Sequence, residues 1–401
     1  MVTRPRRLLW VMPYLPWPTT SGGKLRQYHL LRCLAARGHR ITLLVQSRQP
    51  LDAQVQARLE PLLEELIVLP RRPLRSATTL WHALASPLPL LATVNGHAPA
   101  LEARLSQLLQ QPWDAVQVEH SYAFEPCRVP LRWRAAPLVV TEHNVESTLA
   151  TATWARLPWL LRLLAGHDRR RYQRWEREVL GQADAVVAMT QADAAVFAQL
   201  TAAPVSVVVN GSDTAAFAAV QPALAAGRLL FVGNFEYAPN QDAVQWLLEA
   251  VMPLVWEQAG QLQLAICGHA LPADWPRRWR DRRIDWVGYV PDLCAEQARA
   301  SAFVAPLRDG GGSKLKVIEA LAAGLPLVAT PQAVSGLAVR TGEHCLLAAD
   351  APGLAAAIVR LAGDPALAAG LAQAGRAYVR AAHDWEHAAD QLEAVYTQVC
   401  Q

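Results

Sequence analysis

Residues 8–45 read LLWVMPYLPWPTTSGGKLRQYHLLRCLAARGHRITLLV: an apolar run, a helix-length segment and a second apolar run in succession. "LLWVM" and "ITLLV" are strand-sized and apolar throughout. Between them Leu25, Tyr28, Leu31, Leu34 and Ala35 recur at the helical period. Strand, helix and strand in this order imply parallel pairing.

Outward from this unit the alternation continues through "ELIVLP", "AVQVEH", "LVVTEH", "AVVAMT" and "VSVVV". It then restarts with "RLLFVGNF", a helix from about Asn240, "LQLAICG", "IDWVGYV", "AFVAPL", a lysine-bearing helix and "LPLVAT". Two consecutive doubly wound α/β units, joined near "VVNGSDTAAF", account for this pattern. The alanine-rich tail reads as helices over about 352–363, 365–382 and 385–399. In open parallel sheets ligands gather beyond the carboxyl ends of the strands, and candidate residues are sought there.

The chain has 401 residues, 52% hydrophobic and 18% charged, enough to bury two cores of ordinary size. Pro13, Pro16 and Pro18 interrupt the arginine-flanked apolar start, which reads as a first strand rather than a signal peptide. No transmembrane segment is expected. Six scattered cysteines without a Cys-x-x-Cys pair indicate neither a zinc site nor a disulfide framework and fit a reducing cytoplasm. Residues 1–200 carry 24 Lys plus Arg against 15 Asp plus Glu, whereas residues 201–401 carry 14 against 19. A basic amino-terminal half suits an anionic partner, and charge alone does not choose between a membrane surface, a phosphate-bearing acceptor and a merely solvated face. Nucleic acid is not expected, because no recognition motif accompanies the charge. "RRRYQRWEREV" reads as a solvated helix face, with Arg169 to Arg171 as a secondary candidate for acceptor or membrane contact.

Only three of the 38 basic residues are lysine, and each adjoins a glycine-rich loop. After "AFVAPL" come Arg308, Asp309, Gly310, Gly311, Gly312 and Ser313, then a helix ending at Gly324, a good left-handed terminator, with Ser313 as the expected N-cap. Lys316, Glu319, Ala320 and Ala323 share its small, polar face. Glycine amides at a helix start accept a phosphate closely, and the helix end adds about 0.3–1 kcal/mol for an anion. Lys316 adds a full charge, and Glu319, a turn deeper, can accept hydrogen bonds from a ribose diol. The bland reading is a loose loop beside a Lys–Glu pair worth about 0.2–0.5 kcal/mol. Gly22, Gly23 and Lys24 repeat the arrangement after the first strand, without a dinucleotide or Walker pattern. His120 ends "AVQVEH", and Glu142, His143 and Asn144 end "LVVTEH"; each histidine is either a polarising group or an inert loop residue. No catalytic triad or metal-ligand spacing is present.

These residues resemble the GT-B glycosyltransferases of family 4, the group 1 retaining enzymes, along nearly the whole chain. "PLRDGGGSKLKVIEALAAGLPLVATPQAVSGL" is the specific stretch, and "VVTEHNVES", "VVVNGSDTAAF" and "LLFVGNFEYAPNQDAVQWLL" follow the family's order. The opening stretch and "GNFEYAPN" look most like bacterial exopolysaccharide and exosortase-associated sugar transferases. The resemblance implies two Rossmann-like domains facing each other across a cleft. An acceptor-binding domain would span 1–212, with a helix at about 385–401 packing back on it, and a nucleotide-sugar domain would span 213–384. It also implies donor contacts from Glu319, Lys314, Asp309, Gly310, Gly311, Gly312, Ser313, Gly233, Asn234, Gly288, Tyr289 and Val290. Lys316 would serve the diphosphate, Gly22, Gly23, Lys24 and Asn144 the acceptor and diphosphate loop, and His120 or His143 the transferred sugar. Two departures stand out: Gly311 occupies the place of the family's first glutamate, and "EYAPNQ" replaces its usual Arg and Lys pair.

The function so implied is retaining transfer of a hexose from a nucleotide-diphosphate sugar to an acceptor hydroxyl, in cell-surface polysaccharide or glycolipid synthesis. The expected partners are that donor and a sugar or lipid-linked acceptor at the inner face of an anionic membrane, with no metal or other cofactor. A nucleotide-sugar 2-epimerase on the same scaffold and a catalytically silent polysaccharide-assembly protein are the alternatives.

Overall fold

A computed structural model describes residues 4–48, 50–71, 86–96, 98–148, 165–310 and 314–400. The chain divides into two units, Met1–Val209 with Ala388–Gln401, and Asn210–His387. The first contains strands β1 (Arg7–Met12), β2 (Arg40–Ser47), β3 (Glu65–Pro70), β4 (Ala115–Glu119), β5 (Leu138–Thr141), β6 (Ala185–Ala188) and β7 (Val205–Val207) in the sheet order β3-β2-β1-β4-β5-β6-β7. All its strand pairs are parallel, with Leu9 opposite both Thr42 and Val116. Helices cover both faces, so β1 and β4 are buried almost throughout and lack the polar alternation of a one-sided sheet.

The second unit contains β8 (Arg228–Val232), β9 (Gln263–Cys267), β10 (Ile284–Gly288), β11 (Ala302–Ala305), β12 (Leu327–Ala329) and β13 (Leu346–Leu347), ordered β10-β9-β8-β11-β12-β13 and again parallel. Each sheet reverses its winding once, at β1/β4 and at β8/β11. Such reversals leave a crevice at the carboxyl ends of the strands, because the flanking helices depart to opposite faces.

The helix Gly22–Ala36 buries Arg26, Gln27, Leu30, Leu31, Cys33 and Leu34, while Leu25 and Tyr28 are only half-buried. The apolar face expected from the sequence is thus rotated, and two polar side chains enter the interior. The first change in unit falls earlier than residue 212. Ser212 bridges to Asp384, Thr214 Oγ1 donates to Asp384, and the His383 ring meets the Asn210 carbonyl, tying residues 210–212 to the second unit. From Ala388 onward the helix Trp385–Val399 belongs to the first unit: His39 Nε2 lies 2.7 Å from Glu393 and Arg37 pairs with the same carboxylate.

Helices Ala351–Gly363 and Pro365–Ala382 meet at 103° and bury Leu354, Ile358, Leu371 and Val379 in the second core. No single described helix is long and apolar enough to cross a membrane. In the helix Ala165–Leu180, Arg169 and Arg170 are exposed, while Arg171 is pinned to the carbonyls of Ser86 and Pro87.

Candidate functional site

In the second unit the loops after β8, β9 and β11 converge at the winding reversal. The Gly233 N–H donates a strand-like bond to the Cys267 carbonyl, and Gly268 (φ 146°) passes so close that a Cβ there would stand 1.6 Å from the Gly233 carbonyl oxygen. Only glycine permits that approach. Gly233 in turn leaves room for Asn240, which donates to the Asn234 carbonyl at 2.7 Å.

Lys316, in the helix Leu315–Ala322, donates from Nζ to Asn240 Oδ1 at 2.5 Å and lies 4.8 Å above the Phe231 ring. Burial, and secondarily the nearby Lys314 charge, pull its ammonium down to about 7. Glu319 is half-buried one turn on, and burial pushes its carboxyl up to about 7. Among the described residues its side chain meets no hydrogen-bond or ion-pair partner, so the Lys316–Glu319 pair of the bland reading is not formed. Both groups are held at a desolvation cost.

Lys314 corrects the expectation of a second donor-facing cation. Its side chain is buried and its ammonium donates to the Gly310 carbonyl at 2.7 Å, a carbonyl that also accepts from Gln332. It serves the loop, not an open site. Lys314 also occupies the N-cap position expected of Ser313, without a side-chain cap bond. Gly311, Gly312 and Ser313 lie outside the described residues. Asp309 accepts from the Gly310 N–H at 2.7 Å, and Gly310 (φ 116°) packs under Tyr237. At the helix end Gly324 has φ 74°, as expected of the terminator, and the Arg376 guanidinium caps the Ala322 and Ala323 carbonyls. Gly288 (φ 72°) closes β10. Tyr289 beyond it is 59% exposed with its ring edge-on to His269, while Val290 packs on the core.

In the first unit the two candidate histidines meet, ring centroids 4.0 Å apart, but they differ in what their nitrogens do. His120 (φ 68°) is buried, its Nε2 lies 2.9 Å from Tyr14 Oη, and its enclosed Nδ1 meets no partner among the described residues. Burial, reinforced by His143, holds its imidazole well below the usual value and therefore neutral. Its hydrogen-bond contact among the described residues is with Tyr14. His143 places Nε2 2.7 Å from Glu119 Oε2 and turns Nδ1 towards Gly23. A Cβ at Gly23 would stand 2.6 Å from Tyr14 Oη and 3.4 Å from His143 Nδ1, so this glycine lies directly against both side chains. Gly22 is exposed at the helix start, Lys24 is half-buried with Nζ 3.5 Å from Thr20 Oγ1, and Asn144 hydrogen-bonds Glu146.

The site residues not anticipated are Asn240, Gly268, Tyr14, Gln27, Gln117 and Glu119. "EYAPNQ" and "ICGH" followed strand ends and were signals for the first two, whereas buried glutamine within a strand or an amphipathic helix leaves no local signature. Among the described residues no group of three or more His, Cys, Asp or Glu side chains is arranged to hold a metal ion.

Two doubly wound units with glycine loops at both winding reversals define a class that comparison with known proteins names. Residues 21–216 match the family model "Glycosyltransferase Family 4" and residues 226–364 match "Glycosyl transferases group 1". The chain belongs to this glycosyltransferase family. It is 27% identical over 412 aligned positions to a glycogen synthase of Mycobacterium tuberculosis, covering 97% of this chain and 94% of that one. The sucrose-phosphate synthase structure from Thermosynechococcus elongatus superposes with TM-score 0.73 at 19% identity, covering 98% of this chain and 99% of that one. The Anabaena HepE structure in complex with UDP and glucose gives 0.66 at 16% identity over 98% and 100% of the two chains. These neighbours share the GT-B fold.

Proposed function

We propose that this chain is a retaining glycosyltransferase that moves a hexose from a nucleotide-diphosphate sugar to an acceptor hydroxyl, in the assembly of a cell-surface polysaccharide or glycolipid. The observation that carries this reading is Lys316: an ammonium drawn into a glycine-walled crevice, fixed by Asn240, with Glu319 a turn deeper and lacking a partner among the described residues. The HepE neighbour's complex with UDP and glucose supports a nucleotide-sugar donor.

On this reading Lys316 meets the diphosphate and Glu319 the ribose. The acceptor hydroxyl attacks the anomeric carbon on the face from which the diphosphate departs. The sugar–phosphate C–O bond breaks, the new glycosidic C–O bond forms, and the hydroxyl proton passes to the departing phosphate oxygen. The protein positions the partners and stabilises the developing negative charge, and no metal is needed. The test is thermal stabilisation by a panel of nucleoside diphosphates and their sugars, wild type against Glu319→Ala. A ligand at a hundredfold excess over its dissociation constant adds about 2.7 kcal/mol. A shift with one nucleotide that the variant loses supports the site and names the base, and absence of any shift rejects it. Product analysis separates transfer from 2-epimerisation, which would release a new nucleotide sugar without acceptor.

A further inference from the structure

Behind His143 lies a buried chain of polar side chains drawn from four separate elements. Trp10 Nε1 donates to Tyr396 Oη at 3.0 Å, Tyr396 Oη donates to Gln117 Oε1, and Gln117 Nε2 donates to Glu119 Oε1 at 2.5 Å. Gln27 Nε2 and His143 Nε2 meet the other carboxylate oxygen at 3.3 and 2.7 Å. Tyr396 and Glu119 are inaccessible or nearly so, and within the Glu119–His143 pair it is the histidine that keeps 9% side-chain exposure against 2%.

The direction of every bond in this chain is set by its first member. An indole N–H can only donate, so the Tyr396 oxygen accepts it and must spend its own proton on Gln117. The Gln117 carbonyl is thereby turned to Tyr396 and its NH2 to Glu119. Two amide donors, with the Arg26 charge nearby, favour the carboxylate form of Glu119. Burial pushes its carboxyl up, but the His143 and Gln117 bonds outweigh this and hold it below the ordinary range. An ionised carboxylate has no proton to give, so His143 donates from Nε2.

We propose that Glu119 is a positioning residue that fixes His143 as the Nε2–H tautomer, leaving Nδ1, at the Gly23 edge, as the acceptor for a substrate hydroxyl. This rests on the glycosyl-transfer reading for the identity of the hydroxyl, though not for the tautomer. The Tyr396 link extends the device to the carboxyl-terminal helix, whose docking thereby orients a residue at the site. Glu119→Gln breaks the logic. An amide oxygen facing Gln117 turns NH2 on His143 and forces Nε2 to accept, whereas the opposite orientation sets two NH2 groups against each other.

The experiment is 15N spectroscopy of the histidine side chains in the full chain, with His143 assigned by its loss in His143→Asn, alongside steady-state transfer kinetics. Expected are an unprotonated Nδ1 resonance for His143 in wild type and its displacement in Glu119→Gln, where kcat falls by about 10²-fold while donor KM stays within a few-fold. Tyr396→Phe, a substitution that keeps the ring, moves the resonance in the same direction with a smaller kcat loss. A protonated Nδ1 in a turnover-competent wild type overturns the inference alone, as does an unchanged kcat in Glu119→Gln. A wild type that transfers no sugar overturns the glycosyl-transfer reading and the substrate role of His143 with it.

Discussion

Lys316 Nζ and Asn240 Oδ1 are 2.5 Å apart, joining the helix after β11 to the helix after β8 across the winding reversal of the second sheet. The amide is itself anchored through its NH2 to the Asn234 carbonyl, so the lysine is aimed by the loop that follows β8. An ammonium so placed is held partly desolvated, which strengthens its field and weakens its hold on its own proton.

Lys316→Ala is expected to abolish nucleoside-diphosphate binding and transfer while leaving the fold intact. Removing a desolvated charge costs the protein little, so the melting temperature should stay level or rise. Near-normal turnover in the variant would remove the lysine from the mechanism.

Because burial draws Lys316 down to about 7, the free protein is increasingly neutral there above that pH. A bound diphosphate restores the charged form. Donor affinity should therefore fall as pH rises through about 7, with proton uptake on binding. Calorimetry in buffers of different ionisation enthalpy measures that uptake, and a heat independent of buffer contradicts it.

Glu146 is buried beside Glu176, and burial pushes its carboxyl up to about 7. A carboxyl raised on folding contributes stability that is present below its unfolded value near 4.5 and is lost as pH rises through about 7. Chemical denaturation should show this decline, up to about 3 kcal/mol, with Glu146→Gln flattening it.

The two histidines should separate in mutagenesis. His143→Ala is expected to cost about 10²-fold in turnover. His120→Asn, which suits the positive φ, removes the Tyr14 bond and the ring contacts with Tyr122 and His143, and should cost on the order of 1 kcal/mol of stability with turnover retained. Parallel melting curves and rates decide between them.

Gly268→Ala should destabilise the chain by about 3 kcal/mol or more, since the new methyl would enter the Gly233 carbonyl at a strained φ. Gly166→Ala, with open space around it, is the matched control and should be neutral in the same denaturation assay.

Much of the architecture was legible in the chain. The short apolar runs became strands, the tail helices began and ended within a residue of their expected bounds, and Gly324 terminated the lysine helix. The site was legible where glycine and lysine mark a strand end, as at Gly23, Gly233 and Lys316. It was misread where adjacency suggested likeness: Lys314 and Lys316 are two residues apart, yet one ammonium closes its own loop and the other faces the crevice. His120 and His143 end neighbouring strands in equivalent fashion, and only their partners, Tyr14 and Glu119, tell them apart.

By itself the sequence determined the alternation of strands and helices, the two units and the glycine loops, because apolar periodicity and turn chemistry are local and record which faces are buried. Tertiary structure alone decided which polar groups meet. Gln27, Gln117, Glu119, His143 and Tyr396 are scattered along the chain, and parallel pairing brings residues together that no local spacing relates. Burial makes each unpaired polar atom costly, so Tyr396, Gln117 and Glu119 pair with one another in the interior, with His143 left at the open end.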